Sequence, residues 1–379
     1  MNNSILITNA RLVLPDRVEH GALLVKDGVI TRVGETGPAP RVLNLEGDFL
    51  LPGLVEIHTD HLETQFIPRP GILWPSPMAA LLAHDLQIIG SGITTVLNGI
   101  CCGQMNEGKM RHKLLSLSIG AIKKAREQDL LKADHLLHLR CEVCDPEVMD
   151  MFTPYVDESI LRLVSIMDHT PGQRQFTSYA KYREYYNSIQ WTDGEFEKFV
   201  NLQRDRQEEY APRFRAMILA LCKERGLPVA SHDDTQPEHV REALQEGISI
   251  SEFPTTDQAA AAARELGLAI VLGSPNVIRN GSHSGNVSAR ELADKGLLDV
   301  LSSDYVPTSL LHAAFVLHED KGIPLPEAVA KVTKNPADIL GLADRGRLEQ
   351  GTQADLVRVA VVDRHPIVKA VWRQGIRMV

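Results

Sequence analysis

The chain has 379 residues, and a (β/α)₈ barrel takes about 250 of them, so the length fits one barrel with a smaller second domain. Hydrophobic residues at 44% and charged residues at 23% exclude a disordered or fibrous chain. A formal net charge of −9 works against phosphate backbones and anionic membranes, so a small-molecule substrate is expected, with neither nucleic acid nor membrane as partner.

The first residues, MNNSILITNA, show no basic stretch followed by an apolar one. No apolar run approaches the ~20 residues that cross a bilayer, and a cytoplasmic protein, forming a homo-oligomer, is expected. Residues 4 to 50 read as short strands, ILITNARLVL and then ALLVKDGVITRVG, with Asp27-Gly28 as a hairpin turn. The carboxyl end, DLVRVAVV and VKAVWRQGIRMV, has the same character with Gln374-Gly375 as its turn. The two ends are expected to form one small β-domain, residues 1–50 with 346–379, around a barrel over residues 51–345.

Within the barrel region, strand-like runs alternate with helical ones, the pattern of βα units. The strand candidates are GLVEIHTD, GITTVLNG, HLLHLRCE, LVSIMDH, PVASHDD, ISEFP, AIVLGSPN and VLSSDY. Eight parallel strands imply an α/β fold, a distorted TIM barrel. A helical insert at about 171–226 separates the fourth and fifth strands and is longer than a βα connection needs. Ten of the 19 aromatic residues (3 Trp, 7 Tyr, 9 Phe) lie in it, between Phe176 and Phe214. They serve a helical subdomain with its own core, a lid over the barrel mouth, or both.

Catalytic groups of such barrels stand at the carboxyl ends of strands. The first strand ends His58-Thr59-Asp60-His61, the third Glu142, the fourth Asp168-His169, the fifth His232-Asp233-Asp234 and the eighth Asp304, while the sixth offers Glu252. A single histidine at a strand end is more often structural than a ligand, but this accumulation on one barrel face points to a metal. Imidazole with carboxylate suits one or two zinc ions, with manganese or iron as alternatives. Alternation sends His58 and Asp60 to one face and leaves Thr59 and His61 to the other. His58, Asp60, His169, His232 and Asp304 are the expected ligands, with Glu142 bridging or adjacent. Cys141-Glu-Val-Cys144, a lone C-x-x-C among five cysteines, reads as buried reduced thiols.

LPGLVEIHTD resembles the opening of the amidohydrolase superfamily, and VTKNPADILGLADRGRLEQGTQADLV resembles its return to the β-domain. Asp304 matches the aspartate of that superfamily's last strand. HTDHLETQFIPRP, VASHDDTQPEHV, GSPNVIRNGSHSGNVSARELA and LSSDYVPTSLL resemble a phosphonate-utilisation branch that releases pyrophosphate from a phosphonate-bearing ribose 5-triphosphate. The resemblance implies hydrolysis by metal-activated water, with Asp304 as metal ligand and catalytic proton shuttle. The chain departs from the wider pattern in having Asp60 where a second histidine is usual and no lysine in LVSIMDH. Two readings stand beside this one. A cyclic-amide or N-acyl hydrolase would need fewer cationic anchors, and a metal-free scaffold would have no use for the histidines.

A triphosphate requires fixed donors, for which the arginine fork is well shaped. Arg69, Arg140, Arg174 and Arg279 fall in mouth segments, with Arg174 the leading contributor from the insert and Arg183 next. The loop from Arg279 to Asn286 adds Ser282 and His283 to a glycine-rich stretch suited to an anion.

Overall fold

The structure is a computed structural model, described for residues 4–103, 110–176, 178–185, 191–282 and 285–379. Five strands come first: β1 (Ser4–Val13), β2 (Val18–Lys26), β3 (Val29–Val33), β4 (Arg41–Asn44) and β5 (Phe49–Pro52). Asp27 and Gly28 both take positive φ, 50° and 82°, as the two-residue hairpin joining β2 to β3 requires.

Helices then alternate with strands: β6 (Leu54–Thr59), α1 (His61–Phe66), α2 (Pro77–Gly90), β7 (Ile93–Cys102), α3 (Met110–Glu127), β8 (Asp134–Glu142), α4 (Val148–Phe152), β9 (Leu161–Met167), α5 (Tyr179–Tyr185), α6 (Asp193–Glu224) and β10 (Val229–His232). The alternation continues through α7 (Pro237–Gln245), β11 (Ile250–Glu252), α8 (Asp257–Glu265), β12 (Ala269–Gly273), α9 (Ser274–Arg279), α10 (Ala289–Asp294), β13 (Val300–Ser302) and α11 (Ser309–Lys321). After α12 (Leu325–Ala330) and α13 (Lys334–Ile339) the chain ends in β14 (Leu356–Val362), β15 (His365–Arg373) and β16 (Ile376–Arg377).

Two eight-stranded sheets result. One runs β16-β15-β14-β5-β1-β2-β3, with β4 beside β1, and so joins strands from both ends of the chain. The other holds β6 to β13 in sequence order, and a parallel bridge between Thr59 and Asp304 links its first and last members. Eight parallel strands with intervening helices make the expected distorted (β/α)₈ barrel. All eight expected strands are present, each within a few residues of its expected place.

By compactness the chain divides into two units. The first comprises Met1–Asn98, Ala121–Leu136 and Leu272–Val379. It contains the terminal sheet, whose core includes Leu12, Leu23, Leu50, Leu356 and Trp372. Each such side chain contributes roughly 1.5–3 kcal/mol on leaving water.

The second unit comprises Gly99–Gly120 and Leu137–Val271. It contains the insert, in which α6 runs 32 residues, about 48 Å. Thr192 and Glu195 cap its start reciprocally, and Pro212 interrupts its hydrogen-bond ladder. Tyr182, Phe196 and Val200, with Trp191 and Phe199 packed on them, give the insert a core of its own. Tyr186 lies outside the described residues.

Candidate metal centre and active site

In the second unit the strand ends carry a buried chain of imidazoles and carboxylates. His169 Nδ1 stands 2.6 Å from Glu142 Oε2, and the His169 backbone N–H donates to Glu142 Oε1 at 3.2 Å. His232 Nδ1 stands 2.7 Å from Glu252 Oε2, which also accepts from Ser165 Oγ at 2.8 Å. An ionised carboxylate only accepts, so both imidazoles carry their proton on Nδ1 and turn Nε2 forward. Those two Nε2 atoms lie 3.8 Å and 3.3 Å from Asp233 Oδ2, a buried oxygen that accepts no hydrogen bond among the described residues. Lone pairs on three such atoms repel unless a proton or a cation stands between them, and Glu142 and Glu252 add the negative charge that favours either.

Burial alone would lower the His169 pKa, but the charge and hydrogen bond of Glu142 outweigh it and the net shift is upward. The environment therefore draws positive charge to this point. His169, His232 and Asp233 place one ligand atom each within 4.8 Å of the others, as a divalent ion requires. Both oxygens of Glu142 are engaged by His169, which suits an orienting partner better than a bridge. Asp233 takes φ +56°, uncommon for a residue with a side chain and typical of functional strand ends.

Beside this trio, Cys144 Sγ donates to Asp168 Oδ1 at 3.2 Å, and Gln207 of α6 donates to Asp168 Oδ2. The insert thus reaches a strand-end carboxylate directly. All five cysteines are free and buried, as expected, and desolvation raises the Cys144 thiol far above its ordinary pKa.

In the first unit β6 and β13 meet where His58 and Asp304 sit. Asp304 N–H donates to His58 O at 3.1 Å, Asp60 N–H to Asp304 O at 3.2 Å, and Thr59 Oγ1 to the same carbonyl at 2.6 Å. Behind them Glu56 is fully buried and accepts from His58 N–H at 2.7 Å and Ser303 N–H at 2.6 Å. Burial pushes Glu56 up to about 7 against the pull of these bonds. β6 ends at Thr59, so Asp60 follows the last strand residue and precedes α1 instead of sharing a strand face with His58. Asp304, like Asp233, has positive φ, 54°.

The expected anion donors differ in their surroundings. Arg174 is buried, with Nη1 donating to Asp234 Oδ1 at 2.7 Å and to the His232 carbonyl at 3.3 Å, so its guanidinium is committed to protein partners. Arg183 pairs with exposed Asp193. Arg140 lies near enough to His169 for its charge to oppose protonation there, and Arg69 and Arg279 are exposed. Ser282 is half-buried, while His283 lies outside the described residues.

Sequence reasoning passed over a second polar chain, in the first unit. Asp85 accepts from the backbone of Lys132 and Ala133 and stands 3.1 Å from His135 Nε2; His135 Nδ1 is 3.3 Å from Asn98 Nδ2. Asn98 Oδ1 is 3.0 Å from His84 Nε2, and His84 Nδ1 is 2.9 Å from His61 Nδ1. Starting from an acceptor-only carboxylate, each donor assignment follows, and His61 is left with its proton on Nδ1. His61 is thereby held in a packing network. The available signal was His84-Asp85 inside the otherwise apolar run MAALLAHDLQIIG.

The model of the amidohydrolase family matches residues 190–378. Alpha-D-ribose 1-methylphosphonate 5-triphosphate diphosphatase of Escherichia coli (strain K12) is 44% identical over 98% of this chain and 100% of its own length. Imidazolonepropionase of Deinococcus deserti is 24% identical over 96% of this chain and 93% of its own. The crystal structure of dihydropyrimidinase from Brevibacillus agri shares the fold at TM-score 0.64 with 14% identity, covering 99% of this chain and 95% of that one. With its eight parallel strands and its buried histidines and carboxylates at strand ends, the chain belongs to the amidohydrolase family of metal-dependent hydrolases.

Proposed function

We propose that this hydrolase cleaves a phosphoric anhydride of α-D-ribose 1-methylphosphonate 5-triphosphate, releasing pyrophosphate and leaving the 5-phosphate. The observation that carries the reading is the 44% identity, over 98% of this chain and 100% of the relative, to a diphosphatase of that substrate. Metal ligation is assigned to His169, His232 and Asp233, and to His58, Asp60 and Asp304. Glu142 and Glu252 orient the imidazoles, a role that supports affinity strongly in metal sites.

Zinc suits this mixture of imidazole and carboxylate, and when bound it supplies Lewis acidity and acidifies the attacking water. Asp304 accepts the proton of that water, and its rigid backbone, tied to His58 and Thr59, fixes where the proton goes. Arg69, Arg140 and Arg279, with Ser282 and His283, are assigned to the phosphate oxygens. Arg174 is reassigned as a positioning residue that holds Asp234 and the His232 carbonyl. A homo-oligomer working in the cytoplasm completes the reading.

The test is ³¹P NMR of the metal-loaded protein with α-D-ribose 1-methylphosphonate 5-triphosphate. Stoichiometric pyrophosphate with the 5-phosphate is expected. Orthophosphate release alone, or an inert substrate with a fully metallated protein, overturns the assignment.

A further inference from the structure

We infer that the first unit carries a second ligand site, built from residues other than the candidate ligands just described, which binds a small hydroxylated oxyanion of the sugar-phosphate kind. A cavity of about 310 Å³ opens in the first unit, lined among others by Arg126, Asp129, Asp134, Gln353, Arg373 and Gln374. Its volume lies at the lower end of the range for metabolite sites, and its walls are polar. Arg126 lies in the last turn of α3, Asp134 begins β8, Arg373 ends β15 and Gln374 opens the turn into β16. The cavity therefore sits at the amino-terminal end of a barrel strand, whereas Asp304 follows the carboxyl end of one.

The charge distribution makes it an anion site. Asp134 is neutralised twice over, by Arg126 at 2.5 Å and by Arg345 at 2.8 Å. Arg126 spends only Nη1 on this pair and on the His135 carbonyl, leaving Nε and Nη2 without a hydrogen bond to the described residues. Arg373 is half-buried, and its whole fork makes no hydrogen bond or ion pair with them, although buried Asp355 feels its charge. An arginine fork held at a cavity wall without a partner is matched to a carboxylate or phosphate. The turn that follows Arg373 is anchored at Gln374, which adopts φ +48°, donates its backbone N–H to Asp355 at 2.8 Å and reaches Gln353 Oε1 with its amide at 3.4 Å.

Asp129 selects among anions. Its carboxylate is exposed, accepts no side-chain hydrogen bond among the described residues and lines the same cavity, so it repels a second negative charge and welcomes hydroxyl donors. A phosphate at one end with hydroxyls at the other satisfies both sides. None of these residues belongs to the proposed catalytic set, so the inference stands or falls independently of the reaction assigned above.

Full-length, metal-loaded protein is labelled with phenylglyoxal and the modified arginines are mapped by mass spectrometry, with and without ribose 5-phosphate. The expected result is protection of Arg373, and to a lesser degree of Arg126, by ribose 5-phosphate, with weaker protection by the same concentration of inorganic phosphate. In calorimetry Arg373→Met weakens this site by roughly tenfold or more while leaving kcat and the thermal midpoint unchanged. Unprotected Arg373, or identical calorimetric isotherms for wild type and Arg373→Met, overturns the site. Equal protection by inorganic phosphate overturns its sugar-phosphate character. The labelling arm uses only the wild-type chain, so a poorly folding variant does not rescue the proposal.

Discussion

Glu142 and His169 are joined twice, through Nδ1 at 2.6 Å and through the backbone N–H at 3.2 Å, and this double contact decides which nitrogen of His169 faces Asp233. Glu142→Gln preserves the shape, removes the charge and leaves the orientation of the imidazole to an amide. Loss of such a partner typically costs 10–100-fold in metal affinity or activity. A chelator competition titration is expected to show a drop of that order, with the thermal midpoint of the metal-saturated protein little changed.

Asp304→Asn removes the proton acceptor while keeping one coordinating oxygen. General acid–base catalysis contributes about 10²–10⁴-fold, so kcat is expected to fall by at least roughly a hundredfold with a smaller change in KM. Metal content and thermal midpoint are measured alongside. Near-normal kcat in a metal-loaded variant removes Asp304 from the proton path.

Arg174→Ala is a stability experiment. It strands fully buried Asp234 without its 2.7 Å partner, and breaking one side of a buried pair costs about 3–5 kcal/mol. A lower denaturation midpoint is expected, partly restored when Asp234→Asn is added. A raised KM at unchanged stability would instead return Arg174 to the substrate.

The acid limb tests Asp85. Burial would raise its pKa, but the His135 contact and the backbone donors of Ala133 and Lys132 outweigh burial and lower it. A carboxylate whose folded pKa is depressed stabilises above its unfolded value, near 3.8, and that stability vanishes as pH falls through the folded value. Asp85→Asn is therefore expected to lower the thermal midpoint by a constant amount between about pH 5 and 8, with the gap to wild type closing below about pH 4. A gap that widens on acidification contradicts the assignment.

The strand framework was legible because it is written locally. VEIH, LVSIM and VASH are β-branched or alternating runs of strand length, and the pairs Asp27-Gly28 and Gln374-Gly375 specify hairpins by their tolerance of positive φ. The candidate ligands were legible for the same reason, since they follow those runs. What stands behind each ligand was not. Glu142 supports a histidine from the next strand and Glu252 one from the preceding strand, a matter of barrel register that no local pattern records. The burial of Arg174 was equally hidden, because its partner Asp234 lies 60 positions away. Alternation also assumes that the strand continues through Asp60, whereas β6 stops at Thr59 and Asp60 is the residue between it and α1.

The pairing of β5 with β14 sets Leu51 against Val357 and Leu50 against Arg358, across about 300 positions of chain. A ribosome adding 5–20 residues per second needs roughly 15–60 s between these two partners. Throughout that interval β5 is an open edge with Leu50 and Leu51 exposed, the sort of edge that recruits foreign strands. The first sheet is thus completed only when the last strands have been made, and its closure waits on the two ends of the chain meeting.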